Sequence, residues 1–206
     1  MSTVTTEVLA LDAANPHAAA LERAAAMLRG GGLVAFPTET FYGLGASALQ
    51  AAAVRRVFEV KGRPQSKPVL VLVDSVTMVD AVALEVSPRA RALMAAHWPG
   101  ALTLVFRARP DLPGELTAGS GTVGVRLSAH PLARALVSAL GEPVTAPSAN
   151  PSGHPAPITA ADVLAQFRDR IELVLDGGAT AGGEPSTVLD VTVDPPRVIR
   201  AGAVIV

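Results

Sequence analysis

Residues 68–73 read Pro-Val-Leu-Val-Leu-Val, an apolar run with no polar residue interleaved. A strand with one wet face alternates apolar and polar positions, so a strand apolar at every position needs cover on both faces. A short apolar strand of the same kind is expected at 33–36 (Leu-Val-Ala-Phe), alternation and β-branching mark strands at 102–106 and 123–127, and others are expected at 4–9, 144–146, 173–175, 187–191 and 197–200. Helices fit between them. One opens at the Asn15-Pro16 pair and runs to about Arg29, where Gly30-Gly31-Gly32 stops it. Others fit 48–60, 131–140 and 160–167, a segment capped by Asp74 or Ser75 and running to about Leu84, and one opened by Ser87-Pro88 and ending before Trp98. Strands and helices thus interleave, while the last three strands are joined by loops. The fold class expected is α/β (α+β), a twisted, open, mixed β-sheet with helices packed on it. No repeat and no long Pro/Gly/Ser linker divides the 206 residues, so one domain is expected.

Composition narrows the chemistry. Half of the residues are apolar and 17% are charged, which argues against disorder. No apolar run reaches membrane-spanning length, and the first ten residues lack a secretory pattern, so a cytoplasmic protein is expected. The absence of cysteine excludes disulfides, thiolate metal sites and cysteine nucleophiles. His17, His97, His130 and His154 are scattered without metal-ligand spacing; no protein metal site is expected, and the last three are assigned surface or helix-end places. A net charge of −1 gives no general attraction to nucleic acid or membrane. The chain has fifteen arginines but only two lysines, and both lysines, Lys61 and Lys67, sit in one short stretch.

Five segments carry chemistry. Pro37-Thr38-Glu39-Thr40-Phe41-Tyr42-Gly43-Leu44-Gly45 leaves a buried strand, where open sheets place ligand sites. It reads equally well as a turn in which Thr38 or Thr40 caps the next helix, and its glycines match neither a P-loop nor a dinucleotide fingerprint. Lys61-Gly62-Arg63-Pro64-Gln65-Ser66-Lys67-Pro68 gathers three cations on a proline-stiffened loop, suited to a polyphosphate through the arginine fork and the movable lysine charges. Arg126, near the end of the apolar strand at 123–127, needs an anionic partner if buried; a structural carboxylate and a ligand carboxylate both qualify, the structural one being favoured. Ala146-Pro147-Ser148-Ala149-Asn150-Pro151-Ser152-Gly153 offers hydroxyl and amide groups on an irregular loop, without the glycine-framed elbow of a serine nucleophile. Ser186-Thr187-Val188-Leu189-Asp190 and Val198-Ile199-Arg200-Ala201-Gly202 read by themselves as strands with polar ends.

Taken in order, FPTETFYGLG (36–45), KGRPQSKP (61–68), WPGALTLV (98–105), TVGVRL (122–127), APSANPSG (146–153), STVLD (186–190) and IRAGAV (199–204) resemble the YrdC-like family, whose members are threonylcarbamoyl-AMP synthases. The match runs from about residue 8 to the C-terminus. It implies a nucleotidyltransferase that joins L-threonine, bicarbonate and ATP into threonylcarbamoyl-AMP for N6-threonylcarbamoyladenosine in tRNA. By resemblance, Thr40, Arg126, Ala146 and Ser186 meet threonine and bicarbonate. Arg63, Lys67, Thr122, Ser148, Asn150, Ala156 and Arg200 meet the nucleotide. Lys61 and Arg63 take the catalytic places beside the phosphates, and Mg2+ rides on those phosphates rather than in a protein cage. Leu72 stands where some members carry a histidine near threonine. Longer members add a linker and a second domain; this chain resembles the short, single-domain form. The resemblance extends to contact with tRNA or double-stranded RNA, and to hand-off of the product to a tRNA threonylcarbamoyl transferase. Two other readings fit the same motifs: an RNA-binding module without catalysis, against which the 3% aromatic content argues, and a paralogue that adenylates another carbamoyl-type substrate.

Overall fold

The computed structural model describes residues 4–64, 66 and 68–206. The strand over 68–73 shortens to β4 (Val71–Val73), and its two faces enter different cores, as continuous apolarity requires. Val71 and Val73 pack with Leu102, Leu104, Val123 and Val125, whereas Leu72 packs with Phe36, Leu132, Leu136 and Leu173. All three residues of β4 are fully buried. Burying each such side chain contributes about 1.5–3 kcal/mol.

Around β4 the chain runs in the order β1 (Glu7–Ala10), α1 (Ala18–Arg29), β2 (Val34–Pro37), β3 (Tyr42–Gly45), α2 (Ala51–Lys61), β4, α3 (Pro88–His97), β5 (Leu102–Arg107), α4 (Gly114–Thr117), β6 (Thr122–Leu127), α5 (Pro131–Leu140), β7 (Val144–Thr145), α6 (Ala160–Phe167), β8 (Leu173–Asp176), β9 (Thr187–Asp190) and β10 (Arg197–Arg200). The mixed sheet is divided in two. A four-stranded sheet has the order β1-β8-β2-β3, and a six-stranded sheet the order β10-β9-β5-β6-β4-β7. In the first, only β2–β3 is antiparallel. In the second, β9–β5 and β6–β4 are parallel, and the other pairs are antiparallel. β8 thus leaves its sequence neighbours β9 and β10 and sits between β1 and β2. None of the helices described is long and apolar enough to cross a membrane.

The sheets are stitched together beside β7. The buried hydroxyl of Thr145 donates to the Leu44 carbonyl at 3.0 Å and accepts from the Ala46 amide at 2.9 Å. Leu44 N–H donates to the Pro147 carbonyl at 2.7 Å, and Ala146 N–H to the Leu70 carbonyl at 3.0 Å. The end of the β2–β3 hairpin and the start of the 146–153 loop are therefore fixed relative to both sheets.

Three local readings change. The 37–45 stretch forms a hairpin rather than a loop leading to a helix. Thr38 Oγ1 donates to the Phe41 carbonyl at 2.7 Å and accepts from the amides of Thr40 and Phe41, so its hydroxyl closes the turn. Helix α1 starts at Ala18 with His17 at its N-cap, downstream of Asn15-Pro16. The helix expected up to Leu84 contracts to a 3-10 turn over Thr77–Ala81. There the chain is drawn back to the sheet: Leu84 N–H donates to the Arg107 carbonyl at 2.9 Å, and Arg109 N–H to that of Val82 at 2.9 Å. In contrast, Ser87 caps α3 as its sequence suggests, accepting from the Ala90 amide at 3.2 Å.

After β10 the chain folds back on the start of β9. Val204 N–H donates to Thr187 Oγ1 at 3.0 Å, and Ala203 N–H to the Pro185 carbonyl at 3.0 Å. Gly202 permits this approach, because a Cβ there would stand 2.2 Å from the Pro185 carbonyl oxygen. Gly202→Ala is expected to free the tail, costing about 1–3 kcal/mol. Hydrogen exchange checks it: the amides of Ala203 and Val204 lose protection, while those of β5 and β6 keep theirs.

Candidate functional site

Over β5, β6 and β9 the six-stranded sheet has one dry face and one wet face. Phe106, Leu104, Val123, Val125 and Leu189 point to the core. The alternate residues, Thr103 and Val105 on β5, Thr122, Gly124 and Arg126 on β6, and Ser186 and Val188 beside and on β9, face a hollow of about 660 Å3. The β2–β3 turn closes one side with Thr38, Thr40, Phe41 and Tyr42. Pro147 and Ser148 close another, and Arg63, Ile199 and Arg200 form the rim.

Of the residues singled out by sequence, Thr40, Arg63, Thr122, Arg126, Ala146, Ser148, Ala156, Ser186 and Arg200 line this one hollow. Stretches up to 160 residues apart thus meet across two sheets. Lys61 and Asn150 lie outside the lining. Asn150 is buried and turns its amide back onto its own loop, donating to the carbonyls of Pro151 at 2.9 Å and His154 at 2.7 Å. Lys67 lies outside the described residues. Leu72 pairs with Arg126 in register, but it is fully buried in the second core and does not line the hollow.

Each guanidinium is anchored from behind. Arg63 Nη2 donates to the Pro68 carbonyl at 3.0 Å. Arg200 donates twice to the Ser186 carbonyl, at 2.7 and 3.1 Å, and once to Ser186 Oγ at 3.1 Å. Thr103 Oγ1 shares a 3.0 Å hydrogen bond with that same hydroxyl. Burial makes all three guanidinium charges harder to hold than usual. Arg200 adds to the strain at both Arg63 and Arg126, while Glu39 relieves it at Arg126. No acidic side chain is among the described residues of the lining. The lining is therefore short of negative charge, a condition that favours anionic ligands over cationic ones.

Arg126 shows that both partners expected from its sequence context have room. The residue is 3% exposed. Its Nη1 lies 3.4 Å from Glu39 Oε1, an ion pair without hydrogen-bond geometry, and its Nε has no hydrogen-bond partner. Glu39 Oε1 is likewise without one, while Oε2 accepts from the Ser128 hydroxyl. Ser128 Oγ in turn accepts from His130 N–H at 3.2 Å. Glu39, Ser128 and His130 thus form a corner that sequence reasoning left unassigned. The signal available was the period of two that places residues 126, 128 and 130 on one side of the chain leaving β6. His130 Nδ1 is buried without a partner; desolvation pushes its pKa down, and Glu39 opposes that. Thr103 was also missed, although a hydroxyl inside an apolar strand marks a position facing something polar.

Lys61 has a different environment from the arginines. Its Nζ donates to the carbonyls of Ser148 at 2.5 Å and Asn150 at 2.6 Å. Burial, and then the charge of Arg63, lower its pKa to about 8. A second hollow, of about 580 Å3, lies near Arg89, Phe106, Arg107 and Asp194 and holds none of the residues singled out. No group of three or more His, Cys, Asp or Glu side chains among the described residues could hold a metal ion.

Two measurements check these contacts. Glu39→Gln leaves the buried Arg126 without its carboxylate, and urea unfolding is expected to show a loss of about 3 kcal/mol. For Lys61, a folded pKa below the unfolded one means that the unfolded chain keeps its proton longer. The cost of the buried ammonium is therefore fully present below pH 8. This group's contribution to stability then rises between about pH 8 and about pH 10.5. Carbon NMR of labelled lysine is expected to show one of the two lysines titrating near pH 8.

The Sua5_yciO_yrdC family model, described as telomere recombination, matches residues 26–202. The chain is 45% identical over 179 residues to the threonylcarbamoyl-AMP synthase of Pyrococcus abyssi (strain GE5 / Orsay), covering 87% of this chain and 53% of the relative. It is 43% identical over 185 residues to the threonylcarbamoyl-AMP synthase of Bacillus subtilis (strain 168), covering 89% and 54%. The crystal structure of P. abyssi Sua5 complexed with L-threonine superposes with a TM-score of 0.89 at 40% identity, over 98% of this chain and 58% of that one. The chain therefore spans about half the length of these relatives.

Proposed function

This chain belongs to the Sua5/YciO/YrdC family, and we propose that its hollow makes threonylcarbamoyl-adenylate from L-threonine, bicarbonate and ATP, releasing pyrophosphate. The observation that carries the reading is the meeting of Arg63, Arg126 and Arg200 in one hollow, beside the hydroxyls of Thr40, Ser148 and Ser186. Three cations, of which only Arg126 is ion-paired with a carboxylate, and no acidic side chain among the described residues of the lining suit two anionic substrates held side by side. The relatives above are named for this activity, and one of them was crystallised with L-threonine.

In this reading threonine lies at the inner end. The open Nε edge of Arg126 receives its carboxylate, while Thr40, Ser186 and the backbone at Ala146 surround the rest. The nucleotide lies at the outer end, with Thr122, Ser148 and Ala156 along it and Arg63, Arg200 and Lys67 at its phosphates. Threonine's amine, having lost its proton, attacks the carbon of bicarbonate, and water leaves to give the N-carboxylate. An oxygen of that carboxylate then attacks the α-phosphorus of ATP, the bond to the bridging oxygen breaks, and pyrophosphate departs. No protein nucleophile takes part. The residues orient two anions and stabilise charge on the departing phosphates. Mg2+ would come with the phosphates, since the described residues offer no carboxylate cage. The cytoplasm, with its ATP and tRNA, is the compartment this chemistry needs, and the product would pass to a tRNA threonylcarbamoyl transferase.

Arg63→Ala is expected to lower threonine-dependent pyrophosphate release by at least about 100-fold, with an unchanged circular dichroism spectrum. Turnover near the original rate in that variant contradicts the assignment. Arg126→Lys, which loses the planar fork, is expected to raise KM for threonine by about tenfold or more while leaving KM for ATP in place.

A further inference from the structure

Lys61 is the last residue of α2, 3% exposed, and it grips the neighbouring loop through three bonds. Its Nζ donates to the carbonyls of Ser148 and Asn150 at 2.5 and 2.6 Å, and its own carbonyl accepts from Ser152 N–H at 2.7 Å. Two carbonyl oxygens aimed at one point repel each other unless a donor or cation stands between them. A buried ammonium supplies both charge and hydrogen atoms there. The loop held in this way presents Pro147 and Ser148 to the hollow.

The helix end explains how residues two apart take opposite roles. Gly62 adopts the left-handed conformation, φ 55°, that ends α2. Its N–H donates to the Glu59 carbonyl at 3.2 Å, and Arg63 N–H to that of Phe58 at 3.0 Å. The turn leaves the Lys61 side chain beneath the loop and brings Arg63 onto the hollow.

We propose that Lys61 is a positioning residue for the reaction: its ammonium is the fixed internal cation of the 148–152 loop and sets Ser148 against the nucleotide, without touching the phosphates. The proposal rests on the nucleotide reading of the hollow. The lowered pKa fits it, because an ammonium held by two neutral carbonyls next to Arg63 gains no carboxylate to offset its burial.

The test uses Lys61→Met, which removes the charge at similar bulk. In the ligand-free variant, amide exchange over 148–152 is expected to speed up by about tenfold or more, with α5 and β6 unchanged. KM for ATP is expected to rise by about tenfold, and KM for threonine to stay within about twofold. Loop exchange equal to wild type together with a raised KM for ATP overturns the proposal, because the ammonium then acts on the nucleotide itself. Equal rises in both KM values also overturn it. If Lys61→Met does not fold, a Lys67→Arg chain retains Lys61 as its sole lysine. Its 15N ammonium signal is expected in the ligand-free protein, slowly exchanging and still present after a non-hydrolysable ATP analogue is added. A signal that appears only with the analogue contradicts the clamp. Arg63→Ala separates the two readings: analogue affinity unchanged in that variant sinks the nucleotide assignment but leaves the loop-exchange result standing.

Discussion

Guanidinium groups brought into one hollow repel each other and lose water, and this site gathers three of them. Arg63, Arg126 and Arg200 are each harder to keep charged than a free arginine, and Arg200 adds to the burden on the other two. The fold tolerates this because each has an oxygen beside it: Arg63 and Arg200 donate to the Pro68 and Ser186 carbonyls, and Arg126 is ion-paired with the Glu39 carboxylate. Of these three oxygens only that of Glu39 carries charge, so they fix position without neutralising the set. Net positive charge therefore remains for a ligand, and the binding of an anion relieves repulsion that folding has already paid for. Orientation is settled in advance, which is where preorganised sites gain most.

That arrangement depends on the six-stranded sheet having unlike faces. Residues 104, 106, 123, 125 and 189 bury apolar side chains against one core, and this burial holds the strands in register. The intervening residues 103, 105, 122, 124, 126 and 188 are then free to face the hollow. A slip of one residue in β6 would send Arg126 into the core and Val125 into the hollow, so the same packing that stabilises the strand fixes the chemistry of its other face. The four-stranded sheet contributes by delivering the β2–β3 turn, which brings Glu39 to Arg126 and Thr40 to the lining. Thr145, bonded to both Leu44 and Ala46, keeps the two sheets from separating at that point.

Much of this was legible in the sequence, and the illegible parts have physical causes. Helices α5 and α6 fall at the expected 131–140 and 160–167, and the structure shows local signals at their starts, proline at N1 of α5 and the Thr159–Asp162 capping box of α6. The apolar strands were visible for the same reason. Hairpin β2–β3 was not: Thr38 serves equally as a helix cap or a turn closer, and only the partner strand decides between them. The division into two sheets was also hidden, since nothing local says that β8 joins β1 and β2 rather than β9. At the site, ordered motifs brought nine of the residues to one place. Glu39, Ser128 and Thr103 escaped because their roles exist only across strands, and Lys61 and Asn150 were grouped with the lining because sequence proximity to Arg63 and Ser148 does not reveal direction.

The contrast between Lys61 and the arginines follows from shape. A guanidinium is a broad planar fork, and its use in the hollow matches ligands with two parallel acceptor oxygens, such as a carboxylate or a phosphate edge. Between the Ser148 and Asn150 carbonyls, which approach Nζ to 2.5 and 2.6 Å, only a compact donor fits. Arginine in that place would have to spread the loop to fit, moving Ser148 away from the hollow. In a chain that otherwise uses arginine for fifteen of its seventeen cations, lysine at position 61 is therefore explained by the space beneath the loop and the two oxygens that close it. The same limit separates roles within one short motif: the small cation shapes the wall, and the planar one two residues later faces what the wall encloses.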